Sequence, residues 1–220
     1  LNRSTIEIKT LRFSVTIRIS MRYNVPMKTL SLQSQALVPM LISEKQCRTC
    51  YDVLSVVGGV MLLSGLAQIA IPLPFTPVPI TGQTFGVALT ALLWGRTRGM
   101  AVMASYLCLG GLGAPVFALG KSGLLPGPTT GFLVGMFVAA AWMGFLADRG
   151  WTKKLWQTWL AATSGSAIVF AFGVAGLSFF LPKAQLLMAG VVPFLPGDLL
   201  KTFVVSLLVS GSVRKFNSAA

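Results

Sequence analysis

The stretch Val191-Val192-Pro193-Phe194-Leu195-Pro196-Gly197-Asp198-Leu199-Leu200-Lys201 decides how the chain is read. It interrupts the last long apolar run, Leu186 to Val213. Pro193 and Pro196 each remove a backbone donor, and Gly197 permits a sharp turn. Asp198 stands where a helix can restart, and Lys201 follows three residues later on the same face. The chain has five acids, of which Asp198 alone is embedded in an apolar segment. An acid and a base one helical turn apart in apolar surroundings point to a site. The plain alternative is that Asp198 caps a helix N-terminus and Lys201 neutralises it.

Composition sets the surroundings. Of 220 residues, 54% are hydrophobic and 10% charged, and the mean hydropathy is +0.76. Soluble domains carry roughly 25% charged residues, so the pattern is that of an integral membrane protein. The net charge of +13 does not mark a nucleic-acid binder, because the basic residues sit between apolar runs instead of pooling on one module. Cys47 and Cys50 form a CxxC, but the one other cysteine is Cys108 and there is no histidine. A structural zinc site needs four ligands, which the chain cannot supply by itself. Juxtamembrane lipid attachment or an incidental pair are the remaining readings of that CxxC.

Residues 1–50 differ from the rest. Leu1 to Tyr23 alternates crudely between apolar and polar residues, as a strand does, yet no partner strand follows. The same segment is rich in Ser, Thr and Arg with a single acid, Glu7, which is also transit-peptide composition. Met21 and Met27 lie inside it, so a mis-assigned start is a further reading. Residues 1–50 are therefore expected to be a leader, 51–216 a membrane domain, and 217–220 a short tail.

Six apolar runs follow. Val53 to Ile71 carries the small pair Ser55/Gly59 and stops at Pro72-Leu73-Pro74-Phe75-Thr76-Pro77-Val78-Pro79, where four prolines in eight residues forbid a helix. Gly82 to Trp94 and Met100 to Leu112 are short, and they flank the basic turn Gly95-Arg96-Thr97-Arg98. A Gly/Pro loop, Gly113 to Thr130, contains Gly120-Lys121-Ser122. A phosphate-binding GxxxxGK[ST] loop would need glycine at Pro115 and a preceding strand, so the nucleotide reading fails. Gly131 to Ala147 has a close-packing stripe at Gly131, Gly135 and Ala139. Leu155 to Leu181 and Leu186 to Val213 complete the set. The fold expected is an all-α integral membrane bundle of six transmembrane helices, the last broken at its Pro/Gly motif.

Charge orients the bundle. Lys45, Arg48, Arg96, Arg98, Arg149, Lys153, Lys154, Arg214 and Lys215 fall on the side of the termini, and Lys121 and Lys183 on the other. By the positive-inside rule both termini are cytoplasmic, and the three Pro/Gly-rich loops gather outside. Asp198 is then roughly 22 Å above the inner end, at 1.5 Å per residue. Irregular backbone at that depth must line a cavity or be buried in protein. The expectation is an outward-facing pocket with a charged floor.

Taken together, Pro72-Leu73-Pro74 with Pro79-Ile80-Thr81-Gly82-Gln83-Thr84, then Gly113-Ala114-Pro115-Val116-Phe117-Ala118, Gly127-Pro128-Thr129 and finally Pro193 to Lys201 resemble the BioY family. These are the biotin-binding S components of energy-coupling-factor (ECF) transporters. The likeness spans about Val53 to Val213 and departs at Ala114, where leucine is usual, and Thr130, where a second glycine is common. The resemblance implies capture of biotin from outside, with transport driven by a transmembrane coupling subunit and two cytoplasmic ATPases in the cell membrane. Biotin is then the transported substrate, and no cofactor is implied. It also implies that Asp198 and Lys201 hold the ureido head and that Lys121 is a partner for the valerate carboxylate.

A urea offers two donors and one acceptor, which suits a carboxylate beside an ammonium group. Gln83 and Thr84 begin a span near the pocket, and Tyr106 and Phe117 are candidates to flank the apolar ring. Capping and core packing are the plainer roles for these four. Two other readings stay open: an S component for another vitamin or small cofactor, and an intramembrane enzyme using Asp198 and Lys201 as acid and base. Against the enzyme stand the missing histidine and the lack of a second embedded acid. The faces at Ser55/Gly59 and Gly131/Gly135/Ala139 are candidates for docking the coupling subunit.

Overall fold

The computed structural model describes residues 48–123 and 127–219. The expected leader lies almost wholly outside the described residues. Helix α1 spans Arg48–Gln68. Strands β1 (Ala70–Leu73) and β2 (Thr76–Thr81) form an antiparallel ribbon, and helix α2 covers Gln83–Gly111. Helix α3 (Thr130–Asp148), helix α4 (Leu155–Leu177), the short α5 (Leu186–Gly190) and α6 (Leu195–Ala219) complete the order.

Helix α2 is folded back on itself. Gly95 has φ 79 and ψ −177, a conformation open to glycine and strained for other residues. Gln83 Nε2 lies 2.6 Å from Tyr106 Oη, whereas a straight helix would hold residues 23 apart at roughly 35 Å. The short runs 83–94 and 96–111 are therefore two arms of a helical hairpin. A Cβ on Gly99 would stand 3.0 Å from Ala91 Cα, so the arms touch through backbone.

The protein is a mostly helical membrane protein. Among the described residues, α1, α3, α4 and α6 are each long and apolar enough to cross a membrane. The hairpin packs between α1 and α3, α3 lies against α4, and α6 lies against α4 and α2.

Three local expectations change. The proline-rich segment 72–79 is not open loop but the ribbon, paired Ala70 with Thr81, Ile71 with Ile80 and Leu73 with Thr76, irregular at Pro72. Prolines cannot donate to a ladder, but a two-stranded ribbon leaves half its backbone N–H groups facing away from the partner. The break in the last apolar run falls at residues 191–194, at the Pro193 end of the motif, and Pro196 and Gly197 lie beyond it. Those two residues sit in the first turn of α6, where a missing proline N–H costs nothing.

The small-residue stripes face inward. A Cβ on Gly131 would stand 2.5 Å from Phe172 O, and one on Gly135 would stand 3.0 Å from Val169 Cα. A Cβ on Gly59 would enter the Trp94 ring. Gly59, Gly131 and Gly135 are taken up by α1–α2 and α3–α4 packing inside the chain, whereas Ser55 stays partly exposed.

The basic connections share one end of the bundle. Arg96 N donates to Asp148 Oδ2 at 3.1 Å, joining the α2 turn to the end of α3. Gly144 admits this crossing, since its Cβ would meet Arg96 Cα at 2.5 Å. Arg98 Nε donates to Asp52 Oδ1 at 2.7 Å, and its Nη2 reaches the same oxygen. The ribbon, the 3₁₀ turn Ala118–Gly120 and the start of α6 lie at the opposite end.

Candidate functional site

At that opposite end the ribbon, helices α2, α3, α4 and α6 and the loop between α2 and α3 enclose a cavity of about 290 Å³. Ligand pockets typically start near 300 Å³ and combine apolar walls with a few placed polar groups. The apolar wall here includes Phe117, Phe132, Met136, Phe170 and Phe194. Its charged groups are Lys121, Asp198 and Lys201.

Asp198 is the fourth residue of α6 and is 6% exposed. Its backbone N–H already donates to Phe194 O at 2.8 Å, inside the first helical turn. Its side chain therefore does not serve as a helix cap. Oδ1 instead accepts a hydrogen bond from Ser166 Oγ on α4 at 3.0 Å. Oδ2 has no protein donor among the described residues, and Asp198 lines the cavity.

Lys201 stands one turn along and is half-buried. Its Nζ donates to Thr81 O, at the end of β2, at 2.6 Å. No ion pair joins it to Asp198 among the described residues. The expected acid and base pair is therefore two separately anchored groups. An ammonium carries three donors, so two remain for a ligand.

Gln83 reaches the cavity wall but is committed to a chain of hydrogen bonds. Thr81 Oγ1 donates to Gln83 Oε1 at 3.2 Å, and Gln83 Nε2 donates to Tyr106 Oη at 2.6 Å. Tyr106 Oη in turn donates to Val116 O at 2.8 Å. Tyr106 is fully buried and is not part of the cavity lining, so it does not flank a ligand as expected. It backs Phe117, which does line the cavity, in an edge-to-face contact with centroids 5.3 Å apart. Gly110 makes room for this, because a Cβ there would enter the Phe117 ring.

Lys121 is exposed and lies in the loop at the cavity rim. That loop is unusual: Leu119 has φ 60, and Gly113, Gly120 and Gly123 are also left-handed. A left-handed leucine is uncommon, and such strain collects at functional sites. Gln68, at the end of α1, grips the loop twice. Its Nε2 donates to Phe117 O at 3.2 Å, and its Oε1 accepts from Gly120 N at 3.0 Å. Gln68 and Ser166 escaped sequence reasoning because a polar residue in an apolar helix does not reveal which neighbour it hydrogen-bonds.

With this geometry in hand, comparisons with known proteins are specific. Residues 34–218 match the BioY family. The biotin transporter BioY of Thermotoga maritima is 38% identical over 142 residues, covering 63% of this chain and 82% of that protein. The biotin transporter BioY of Rhizobium etli is 39% identical over 153 residues, covering 63% and 79%. That of Rhodobacter capsulatus is 35% identical over 167 residues, covering 69% and 86%. The fold is similar to a crystal structure of the S-component for biotin from an ECF-type ABC transporter, with TM-score 0.71 and 23% identity over 79% of this chain and 95% of that one.

Proposed function

The chain belongs to the BioY family, and we infer from that premise that it is a multi-pass membrane biotin transporter, the S component of an ECF-type ABC transporter, and not an enzyme. The cavity is proposed as its substrate site. Asp198 would accept N–H groups of the ureido ring and Lys201 would donate to its carbonyl oxygen. Phe117 and the aromatic wall would cover the apolar ring, and Lys121 would meet the valerate carboxylate at the rim. Gln83 would face the ligand with a side chain whose hydrogen bonds are already placed, and Tyr106 would act behind Phe117. The observation that carries this reading is the pair of charges lining one cavity, Asp198 buried and Lys201 half-buried, anchored separately and each with hydrogen-bonding capacity left over.

Around the site, the proposal extends to six membrane-crossing helices, with the α2 hairpin supplying two, and to cytoplasmic termini in the cell membrane. The nine-to-two distribution of basic residues supports that orientation. A transmembrane coupling subunit and two cytoplasmic ATPases are the proposed partners. Equilibrium binding of labelled biotin to the detergent-purified protein tests the site. Saturable binding that Asp198→Asn weakens is the expected result, and unchanged affinity in a folded Asp198→Asn protein would overturn the assignment. A thermal-shift panel of other vitamins separates biotin from another small cofactor.

A further inference from the structure

A second concavity, of about 460 Å³, lies between the start of α4 and the face of α6 that carries Phe203 and Arg214, toward the basic end of the bundle. It is lined by Lys154, Leu155, Trp156, Trp159, Phe203 and Arg214. Charge there has no acidic counterpart in the groove among the described residues. Three acids occur among the described residues: Asp52 pairs with Arg98, Asp148 accepts from Arg96 N, and Asp198 lies in the cavity at the other end. None of them lines this groove, and neither Lys154 nor Arg214 has an acidic partner among the described residues.

The groove is graded along the helix axes. Phe203 and Arg214 are 11 residues apart, which puts them on one face of α6 separated by roughly 16 Å along the membrane normal. Lys154 opens α4, and Trp156 and Trp159 follow within the next turn and a half, 56% and 38% exposed. No protein acceptor takes either indole N–H among the described residues. Moving from the basic end toward the bundle centre, the lining therefore runs from cations, through amphipathic rings, to a bare phenyl ring. A phospholipid has the same order: phosphate, glycerol esters, acyl chain. On α6, Leu207 lies on the Phe203 face, and Gly211 leaves open space where a Cβ would stand.

We propose that this groove binds one anionic phospholipid, with its phosphate on Lys154 and Arg214, its ester region against Trp156 and Trp159, and an acyl chain along Phe203. Membrane insertion brings it into contact with lipid, and the proposal does not depend on which small molecule the other cavity takes. A zwitterionic lipid would satisfy the apolar wall but carries its own ammonium toward the two cations. Preference for a net negative headgroup follows.

Native mass spectrometry of the full chain in detergent tests it, with titrations of phosphatidylglycerol, phosphatidylcholine and glycerol 1-phosphate. A one-to-one phosphatidylglycerol adduct is expected at concentrations at least tenfold below those needed for phosphatidylcholine. The Lys154→Gln/Arg214→Gln double variant should bind phosphatidylglycerol about 30-fold more weakly, the effect of removing two interfacial cations. The Lys154→Arg/Arg214→Lys variant should stay within about threefold of the parent, since the charge is kept. Labelled-biotin affinity unchanged in all variants checks that each is folded. Equal retention of both lipids, or undiminished phosphatidylglycerol binding in the double variant, overturns the proposal. Displacement of the lipid by equimolar glycerol 1-phosphate also overturns it in favour of a small-anion site. Loss of a co-purifying protein partner in the double variant with lipid binding intact assigns the groove to protein docking instead.

Discussion

Asp52 at one end of the bundle and Asp198 at the other are held in opposite ways. At the basic end, Asp52 is closed off by two nitrogens of Arg98, and Asp148 braces the α2 turn through Arg96 N. At the cavity end, Asp198 and Lys201 sit one turn apart and do not pair. Each is held by a neutral group, Ser166 Oγ or Thr81 O, and keeps hydrogen-bonding capacity. A charge whose partner is a charge is a fastener. A charge held in place by neutral groups is available to a visitor, because accepting a ligand does not require breaking an ion pair first.

Substitutions at both ends can break that contrast. Asp198→Asn should weaken biotin binding by roughly 30- to 100-fold, the effect of losing a charge-assisted hydrogen bond worth about 2–3 kcal/mol. Labelled-biotin titration beside a thermal melt reads affinity and folding separately, and a normal affinity would erase the distinction drawn above. Next in size, Tyr106→Phe strands Val116 O and the Gln83 amide and should destabilise the protein by about 1–3 kcal/mol. If Tyr106 supports Phe117 from behind, the melting temperature should fall more than the affinity does.

Lys121→Ala should cost about three- to fivefold in affinity for biotin and nothing for biotin amide, since an exposed ion pair contributes at most about 1 kcal/mol. Equal losses for both ligands would remove Lys121 from the carboxylate. The smallest effect is expected at the other end. Asp52→Asn should lower stability by less than about 1 kcal/mol, because the Asp52 side chain is 43% exposed, and should leave biotin affinity unchanged. An affinity change there would mean that the basic-end pair is no mere fastener.

Much of the helical frame was legible in the sequence because membrane burial writes itself as long apolar runs. Even the short runs beside Gly95 were visible, since a basic turn separated them. Less was legible where one signal has two physical sources. The prolines of 72–79 exclude a helix but do not distinguish a loop from a ribbon whose prolines fall where no ladder donor is needed. The Gly131/Gly135 stripe announces close packing without naming the neighbour, which is α4 of the same chain. Asp198 and Lys201 stood out because charge is rare in such a chain, and their cavity gathers them with Lys121, Gln83 and Phe117. Tyr106 was visible as an aromatic but not as a hydrogen-bonded support, since a residue number carries no direction. Ser166 and Gln68 had no signal at all. One polar side chain in an apolar helix reads the same whether it grips a loop or a neighbouring helix.

The double grip of Gln68 on the loop has a mechanical consequence. One amide holds both the carbonyl of Phe117 and the N–H of Gly120, at the two ends of a left-handed turn that continues into Lys121. The cover of the cavity is thus bolted to the last residue of the first helix. Lifting that cover requires either breaking both bonds, at about 1 kcal/mol each, or moving the end of α1 with it. Displacement of that turn is thereby coupled to the end of the first helix.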